Sequence, residues 1–172
     1  MNENNVDKCV TETNDFCHGI YDREFAPYFL ETRMLFDRLK SKVRPITDEE
    51  LNWILISLPL TLFDISGKLS DLKTAEEVIK LRIKELEYEF IKASDEKTAA
   101  AKKEAAAMST IQDKMFLAAY QGIISRVENE ISFSRELIMG AKKVWDARRR
   151  AEQSNPVSPI DAKTPIYGGG VG

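Results

Sequence analysis

The fold is decided by the stretch LPLTLFDISGKLSDLKTAEEVIKLRIKELEYEF, residues 58–90. Its apolar residues recur at alternating intervals of four and three, and Glu76 is the only charged member of the series. The series is Leu58, Leu62, Ile65, Leu69, Leu72, Glu76, Ile79, Ile83, Leu86 and Phe90. A period of about 3.5 residues is typical of a helix that packs against another helix along its whole length.

A second series of the same period follows in the chain. It consists of Leu117, Tyr120, Ile124, Val127, Ile131, Ser134, Ile138, Ala141 and Trp145. Residues 93–97 interrupt the apolar pattern between the two series, and Ser94 and Asp95 are good helix N-caps. The sequence therefore predicts a long antiparallel helical hairpin, a coiled coil, with its turn at 93–97. One continuous helix is the alternative, because no glycine or proline lies at the turn. Glu76 and Ser134, which are polar, are expected to set the register of the two helices.

The predicted class is all-α, and the hairpin occupies residues 46–153. It opens with a capping box in which Thr47 is the N-cap and Glu50 the third helical residue. Pro59 is expected to kink the first helix or to split it into a short lead and a long arm, because proline removes a backbone donor.

Three further segments complete the predicted organisation. Residues 1–20 are polar and acidic without an apolar period, which favours a disordered arm. Residues 21–45 carry apolar and aromatic residues at helical spacing and predict a short helical segment, broken near Pro27 and ended by Pro45. Residues 154–172 contain three prolines and four glycines and predict a flexible tail.

Composition excludes several classes of protein. The formal net charge of −3 is too small to identify a partner. The longest apolar stretch, residues 53–63, is interrupted by polar residues and a proline, so we expect no membrane span and a cytoplasmic location. Cys9, Cys17 and His18 lack the spacing and the fourth ligand of a zinc site, so no metal or other cofactor is expected.

No catalytic constellation occurs in the sequence. The one histidine lies in the arm predicted to be disordered, and no glycine-rich phosphate-binding motif precedes a helix. The acidic pairs on the first long helix lack the histidines that a di-iron site needs. We therefore expect a protein that is not an enzyme.

Two basic features remain as candidate sites. The first is a C-terminal cluster made of Lys142, Lys143, Arg148, Arg149 and Arg150, which surrounds Trp145. The second is a set of lysines near the predicted turn and the alanine-rich stretch after it, made of Lys92, Lys97, Lys102 and Lys103. Such cations could contact the phosphates of a nucleic acid and Trp145 could stack on a base. Alternatively, the cluster complements the helix dipole, the lysines are a solvated face, and Trp145 belongs to the core.

The order of these parts resembles the UvsY-like recombination mediators of bacteriophages, which help a recombinase displace single-strand-binding protein from single-stranded DNA. The likeness rests on ITDEELNWILIS, on LKTAEEVIKLRIKELEYEFIK and on MFLAAYQGIISRVENEISFSRELIMGAKK, within residues 47–150. It implies an oligomer that binds single-stranded DNA through the nine basic residues above, and a recombinase or a single-strand-binding protein as partner. The acidic net charge and the two terminal segments depart from that pattern.

Two hypotheses of different class follow. The first is a non-enzymatic, oligomeric accessory protein of recombination or replication, of phage origin, that binds single-stranded DNA. The second is a structural coiled-coil scaffold or adaptor for phage assembly. Both involve self-association, because a second apolar stripe would be left uncovered in an isolated hairpin. That stripe consists of Leu81, Tyr88, Phe116, Phe133, Leu137 and Val144.

Overall fold

The computed structural model describes residues 3–41 and 45–154. Over these residues the chain is all-α, as predicted, and contains no strand. Its elements are α1 (Glu3–Glu24), α2 (Ala26–Lys40), α3 (Asp48–Asn52), a π-helical turn (Trp53–Ser57), α4 (Leu58–Ala93), α5 (Ala99–Ser109) and α6 (Ile111–Ser154). Of the predicted flexible tail, only Ser154 lies within the described residues, where it ends α6.

The predicted hairpin is confirmed, and its turn lies where the apolar pattern breaks. Helix α4 ends at Ala93, and the backbone at Ser94 is extended (φ −74°, ψ 132°). Helix α5 begins after Thr98, whose hydroxyl accepts a hydrogen bond of 3.2 Å from the amide of Ala101. Helices α5 and α6 then return along α4, so the alternative of one continuous helix is wrong.

Both predicted series line the contact between α4 and α6. Their buried members include Leu58, Leu62, Ile65, Leu69, Leu72 and Ile83 on α4, and Ile124, Val127, Ile131, Ser134 and Ala141 on α6. The two polar members have partners within the chain. Ser134 Oγ donates to the Glu130 carbonyl over 2.7 Å, and the Glu76 carboxylate accepts from Gln121 over 2.7 Å. The polar groups in this α4–α6 contact, which we call the seam, therefore have hydrogen-bonding partners within one chain.

A π-helical turn, Trp53–Ser57, lies just before Pro59 in a helical run that continues from Asp48 to Ala93. The amide of Leu58 donates to the carbonyl of Trp53, a spacing of five residues in place of the usual four. Pro59 directly follows this wide turn, which accommodates a residue without a backbone donor inside the helix. The predicted split into a short lead and a long arm is wrong, because α3 and α4 are parts of one continuous helical run, Asp48–Ala93.

The prediction of a disordered arm over residues 1–20 is wrong for residues 3–20, which lie in α1; residues 1 and 2 are outside the described part. Cys17, Tyr21 and Phe25 recur every four residues and are buried in the core. Phe16 also meets Phe116 of α6, with ring centroids 5.4 Å apart. Packing against α6 thus stabilises a helix that the polar composition alone did not predict.

Helix α2 corresponds to the predicted short helical segment, with the break at Phe25, two residues before Pro27. It packs on α6: the rings of Phe36 and Phe133 have centroids 4.2 Å apart. At Gly140 a Cβ atom would lie 2.9 Å from Leu39 Cδ2, so the missing side chain permits the close approach of α2.

The N-terminal helices therefore cover the α6 half of the second apolar stripe. Leu137 is fully buried and Phe133 and Val144 are partly buried. The α4 half stays uncovered, since Leu81 and Tyr88 are 64% and 67% exposed. The stripe that was expected to mark a surface for another chain is thus half filled by this chain itself.

A buried carboxylate joins the N-terminal helices to α6. Glu130 is 9% exposed and accepts a hydrogen bond from the Tyr21 hydroxyl over 3.3 Å. Arg33 of α2 pairs with the same carboxylate. The guanidinium of Arg126 lies 3.5 Å from the centre of the Tyr21 ring. One buried charge with two hydrogen-bonding partners thus connects α1, α2 and α6, which compensates for its burial.

Lowering the pH should reduce the stability of the hairpin. Hydrogen bonds from Lys80 and Gln121 hold the pKa of Glu76 below its ordinary value of 4.5, and one from Lys114 lowers that of Glu87. A carboxylate with a lowered folded-state pKa contributes stability above its unfolded pKa, and this contribution is lost as pH falls through the folded value. We expect the free energy of unfolding in urea to decline below about pH 4.5.

Glu87→Gln should reduce that decline. Glu136→Gln is the control, because Glu136 is exposed and forms no ion pair in the described part of the chain, and it should not reduce the decline. Equal pH profiles for the three proteins would contradict the ion-pair account.

Candidate functional site

The predicted basic residues lie in two groups at opposite ends of the hairpin. Lys92, Lys97, Lys102 and Lys103 surround the turn, whereas the C-terminal cluster lies beside α3. Helix α4, with 36 residues, separates the two ends by about 54 Å at 1.5 Å per residue. The structure therefore does not bring the two groups together within one chain.

At the turn, one lysine has a structural role. Lys102 Nζ donates to the carbonyl of Ser94 over 2.6 Å and so satisfies a free carbonyl just beyond the end of α4. Lys92, Lys97 and Lys103 are exposed and form no ion pair among the described residues.

In the C-terminal cluster, Arg148 also has a structural role. Its guanidinium pairs with Asp48 and donates to the carbonyl of Ile46 over 2.5 Å. These contacts join the last turns of α6 to the segment before α3 and close the open end of the hairpin. Lys142, Lys143 and Arg149 are exposed and make no ion pair within the described part of the chain.

Lys142 and Arg149 belong to a longer row of cations that includes Arg135. The three are spaced by seven residues, so they project from one flank of α6 at intervals of about 10 Å. We call them the cationic stripe. The sequence-based prediction did not include Arg135, because Arg135 is not adjacent in the chain to the other cations, although its spacing of seven from Lys142 is visible in the sequence.

Two members of the cationic stripe, Arg135 and Lys142, face neutral residues of α4. On the same flank of α6, Glu128 pairs with Lys73 over 2.6 Å and Lys114 pairs with Glu87 over 2.5 Å. A step of seven residues along α6 matches a step of seven back along α4. Continuing this register places Arg135 opposite Ser66 and Lys142 opposite Pro59. No acidic residue of α4 therefore stands opposite these two cations.

Trp145 adds an aromatic surface to the stripe. It follows Lys142 by three residues and precedes Arg149 by four, so all three share a side of α6 with the exposed Asp146. The sequence allowed a core position for Trp145, but the side chain is 40% exposed because the seam ends here. An exposed indole between two free cations can stack on a flat ring while the cations contact anionic groups.

An open groove lies between α1 and α6. It has a volume of about 480 Å³ and is lined mainly by apolar and small side chains, with Cys17, His18 and Arg126 among them. Burial raises the pKa of the Cys17 thiol above its ordinary value of 9.0. No group of three or more metal-ligating side chains occurs in the part of the chain that the structure describes.

The chain gives no significant match to any protein-family model, to any curated protein or to any solved structure.

The two roles within the C-terminal cluster can be separated by stability measurements. Arg148→Ala removes a charged hydrogen bond to a backbone carbonyl and a partly exposed ion pair, and should lower the free energy of unfolding by about 1 kcal/mol. Arg149→Ala, at an exposed position, should change it by less than about 0.5 kcal/mol. Chemical denaturation measures both. Equal losses for the two variants would mean that Arg148 does not close the hairpin.

Proposed function

We propose that the chain is a non-enzymatic accessory protein of DNA recombination or replication that binds single-stranded DNA as an oligomer. The observation that supports this best is the cationic stripe of Arg135, Lys142 and Arg149, with Trp145 beside it. The resemblance to phage recombination mediators points the same way. It further implies a recombinase or a single-strand-binding protein as partner, and a phage as source.

The spacing of the free cations favours a nucleic acid as the ligand. Free cations at regular intervals along a straight helix suit an extended polyanion, because each neutralised phosphate releases counterions. A partly exposed indole next to them suits unpaired bases, which offer a flat face for stacking. Double-stranded DNA offers no such free face, so the tryptophan favours the single strand.

The lysines at the turn enter the proposal in a secondary role. Lys92, Lys97 and Lys103 are free to contact phosphates, and two exposed aromatic rings, Tyr88 (67%) and Phe90 (40%), lie just before Lys92. They lie the length of α4 away from the cationic stripe. We assign the principal contact to the stripe and expect the turn lysines to add non-specific attraction.

The alternative function is that of a structural scaffold or adaptor in phage assembly. The uncovered apolar side chains on the outer face of α4 favour it, because a surface of this kind fits a partner protein. In that case the protein would self-associate and would be indifferent to DNA.

The proposal predicts salt-sensitive binding that depends on the stripe. In fluorescence anisotropy with labelled oligothymidylate, Arg135→Gln/Lys142→Gln/Arg149→Gln should abolish binding at protein concentrations that saturate the unmodified chain. Three phosphate contacts should give a slope of about −2 for the logarithm of the affinity against the logarithm of salt, which the variant should lose. Trp145→Leu, which keeps an apolar side chain, should weaken binding about tenfold.

The matched control is Lys92→Gln/Lys97→Gln/Lys103→Gln, which removes the same charge from the other end of the hairpin. It should weaken binding by less than the stripe variant does. Equal effects of the two triple variants would show that only net charge matters, and the absence of any complex at low salt would favour the scaffold hypothesis.

A further inference from the structure

The open groove between α1 and α6 has an apolar floor and small side chains along α6. Cys17 of α1 and Ile123 of α6 line it and are almost completely buried, so they form its floor. Ala118 and Gly122, one helical turn apart, line it on α6, and a Cβ atom at Gly122 would meet nothing within 4 Å. The groove therefore exists because α6 has small residues at positions where a larger side chain would fill it.

Polar groups meet at one end of the groove. Arg126 and His18 line this end, and the guanidinium of Arg126 lies 3.5 Å from the centre of the Tyr21 ring. Arg126 forms no ion pair among the described residues, because Glu130, one turn further along α6, is paired with Arg33 of α2. No acidic residue lines the groove. This end therefore carries one unpaired positive charge and a histidine.

The opposite end of the groove is apolar, and the distance between the ends is that of one acyl chain. Val10 and Met115 line the apolar end. Eleven residues separate Met115 from Arg126, which is about 16 Å along the helix at 1.5 Å per residue. One layer of acyl chains, half of the hydrocarbon core of a bilayer, measures about 15 Å. The volume of about 480 Å³ is also within the range of small-molecule sites.

We propose that this groove binds a single-chain amphipathic anion of the fatty-acid class. The carboxylate lies on the guanidinium of Arg126, which can donate two parallel hydrogen bonds to it, and the imidazole of His18 offers a further donor. The acyl chain extends along Gly122 towards Met115, over the apolar floor. Charge selects this class, because a cationic amphiphile would be repelled by Arg126 and a neutral one would leave its charge unpaired.

The size of the groove argues against a helix of a partner protein as the occupant. A helix with its side chains has a diameter of about 10 Å, so a piece about 16 Å long takes up roughly 1,250 Å³. That volume is more than twice the volume of the groove. A helix would therefore rest on the rim and leave the floor unfilled, whereas a single acyl chain can enter.

This site is separate from the cationic stripe. Nine residues, or about two and a half helical turns, lie between Arg126 and Arg135, so the two arginines project from opposite sides of α6. The inference therefore goes beyond the proposed function, and the two can be tested independently.

Filling the groove tests where the ligand binds. In isothermal titration calorimetry with sodium decanoate below its micelle concentration, the unmodified chain should bind one molecule. Gly122→Leu should abolish this binding at concentrations that saturate the unmodified chain. The variant should fold, because leucine replaces glycine in a helix and its side chain enters open space. Gly67→Leu is the matched control, at a glycine of α4 that is equally open, and should bind as the unmodified chain does.

The role of the charge is tested at Arg126. Arg126→Met keeps an unbranched apolar side chain and should weaken decanoate binding about tenfold, because it removes a charge-assisted hydrogen bond. It should change the binding of decanol, which has no charge, by less than about twofold. Decylammonium should bind the unmodified chain about tenfold more weakly than decanoate does.

Four results would overturn the proposal. The first is the absence of decanoate binding, and the second is decylammonium binding as tight as that of decanoate. The third is equal binding to Gly122→Leu, which would place the ligand on the exposed apolar side chains of α4. The fourth is loss of binding in Arg135→Gln/Lys142→Gln/Arg149→Gln, which would move the ligand to the cationic stripe. Decanoate binding that persists in this last variant supports the groove, whether or not the chain binds oligothymidylate.

Discussion

The structure depends on the fact that α6 has two apolar faces and therefore needs two partners. One face carries the 3.5-residue series that packs on α4, and the other carries residues such as Ile123 and Leu137 that would be open to water in a simple hairpin. Burying a side chain of this size contributes about 1.5–3 kcal/mol, so several of them provide a strong driving force. Helices α1 and α2 fill this role, and the Glu130 carboxylate fixes where they dock through Tyr21 and Arg33.

The same constraint explains which parts of the fold were predictable from the sequence. The hairpin was predicted from two series that keep their period over many turns, and the turn was predicted from the one place where the pattern breaks. Helix α1 was not predicted, because its own composition is polar and its helical state depends on contacts with residues about a hundred positions away, such as Tyr21 with Glu130. Local pattern cannot report a partner that is remote in the chain.

The candidate site was also predictable from the sequence only in part. The sequence placed Lys142 and Arg149 in a basic cluster, but it also placed Arg148 there, which the fold uses to close the hairpin against Asp48. Arg135 was overlooked because adjacency in the sequence is a poor guide to adjacency on a helix. The lack of acidic residues opposite it on α4 appears only once the register of the two helices is known from pairs such as Lys73–Glu128.

The central claim is that α1 is a packed helix held on α6, and hydrogen exchange of backbone amides tests it most directly. The account predicts that the amides around Cys17, Tyr21 and Phe25 exchange slowly, with protection comparable to that of Val127 and Ile131 in α6, because opening α1 must expose the second face of α6. Exchange of these amides at the rate of an unstructured peptide, with α6 still protected, would contradict the account and restore the disordered arm that the composition favours.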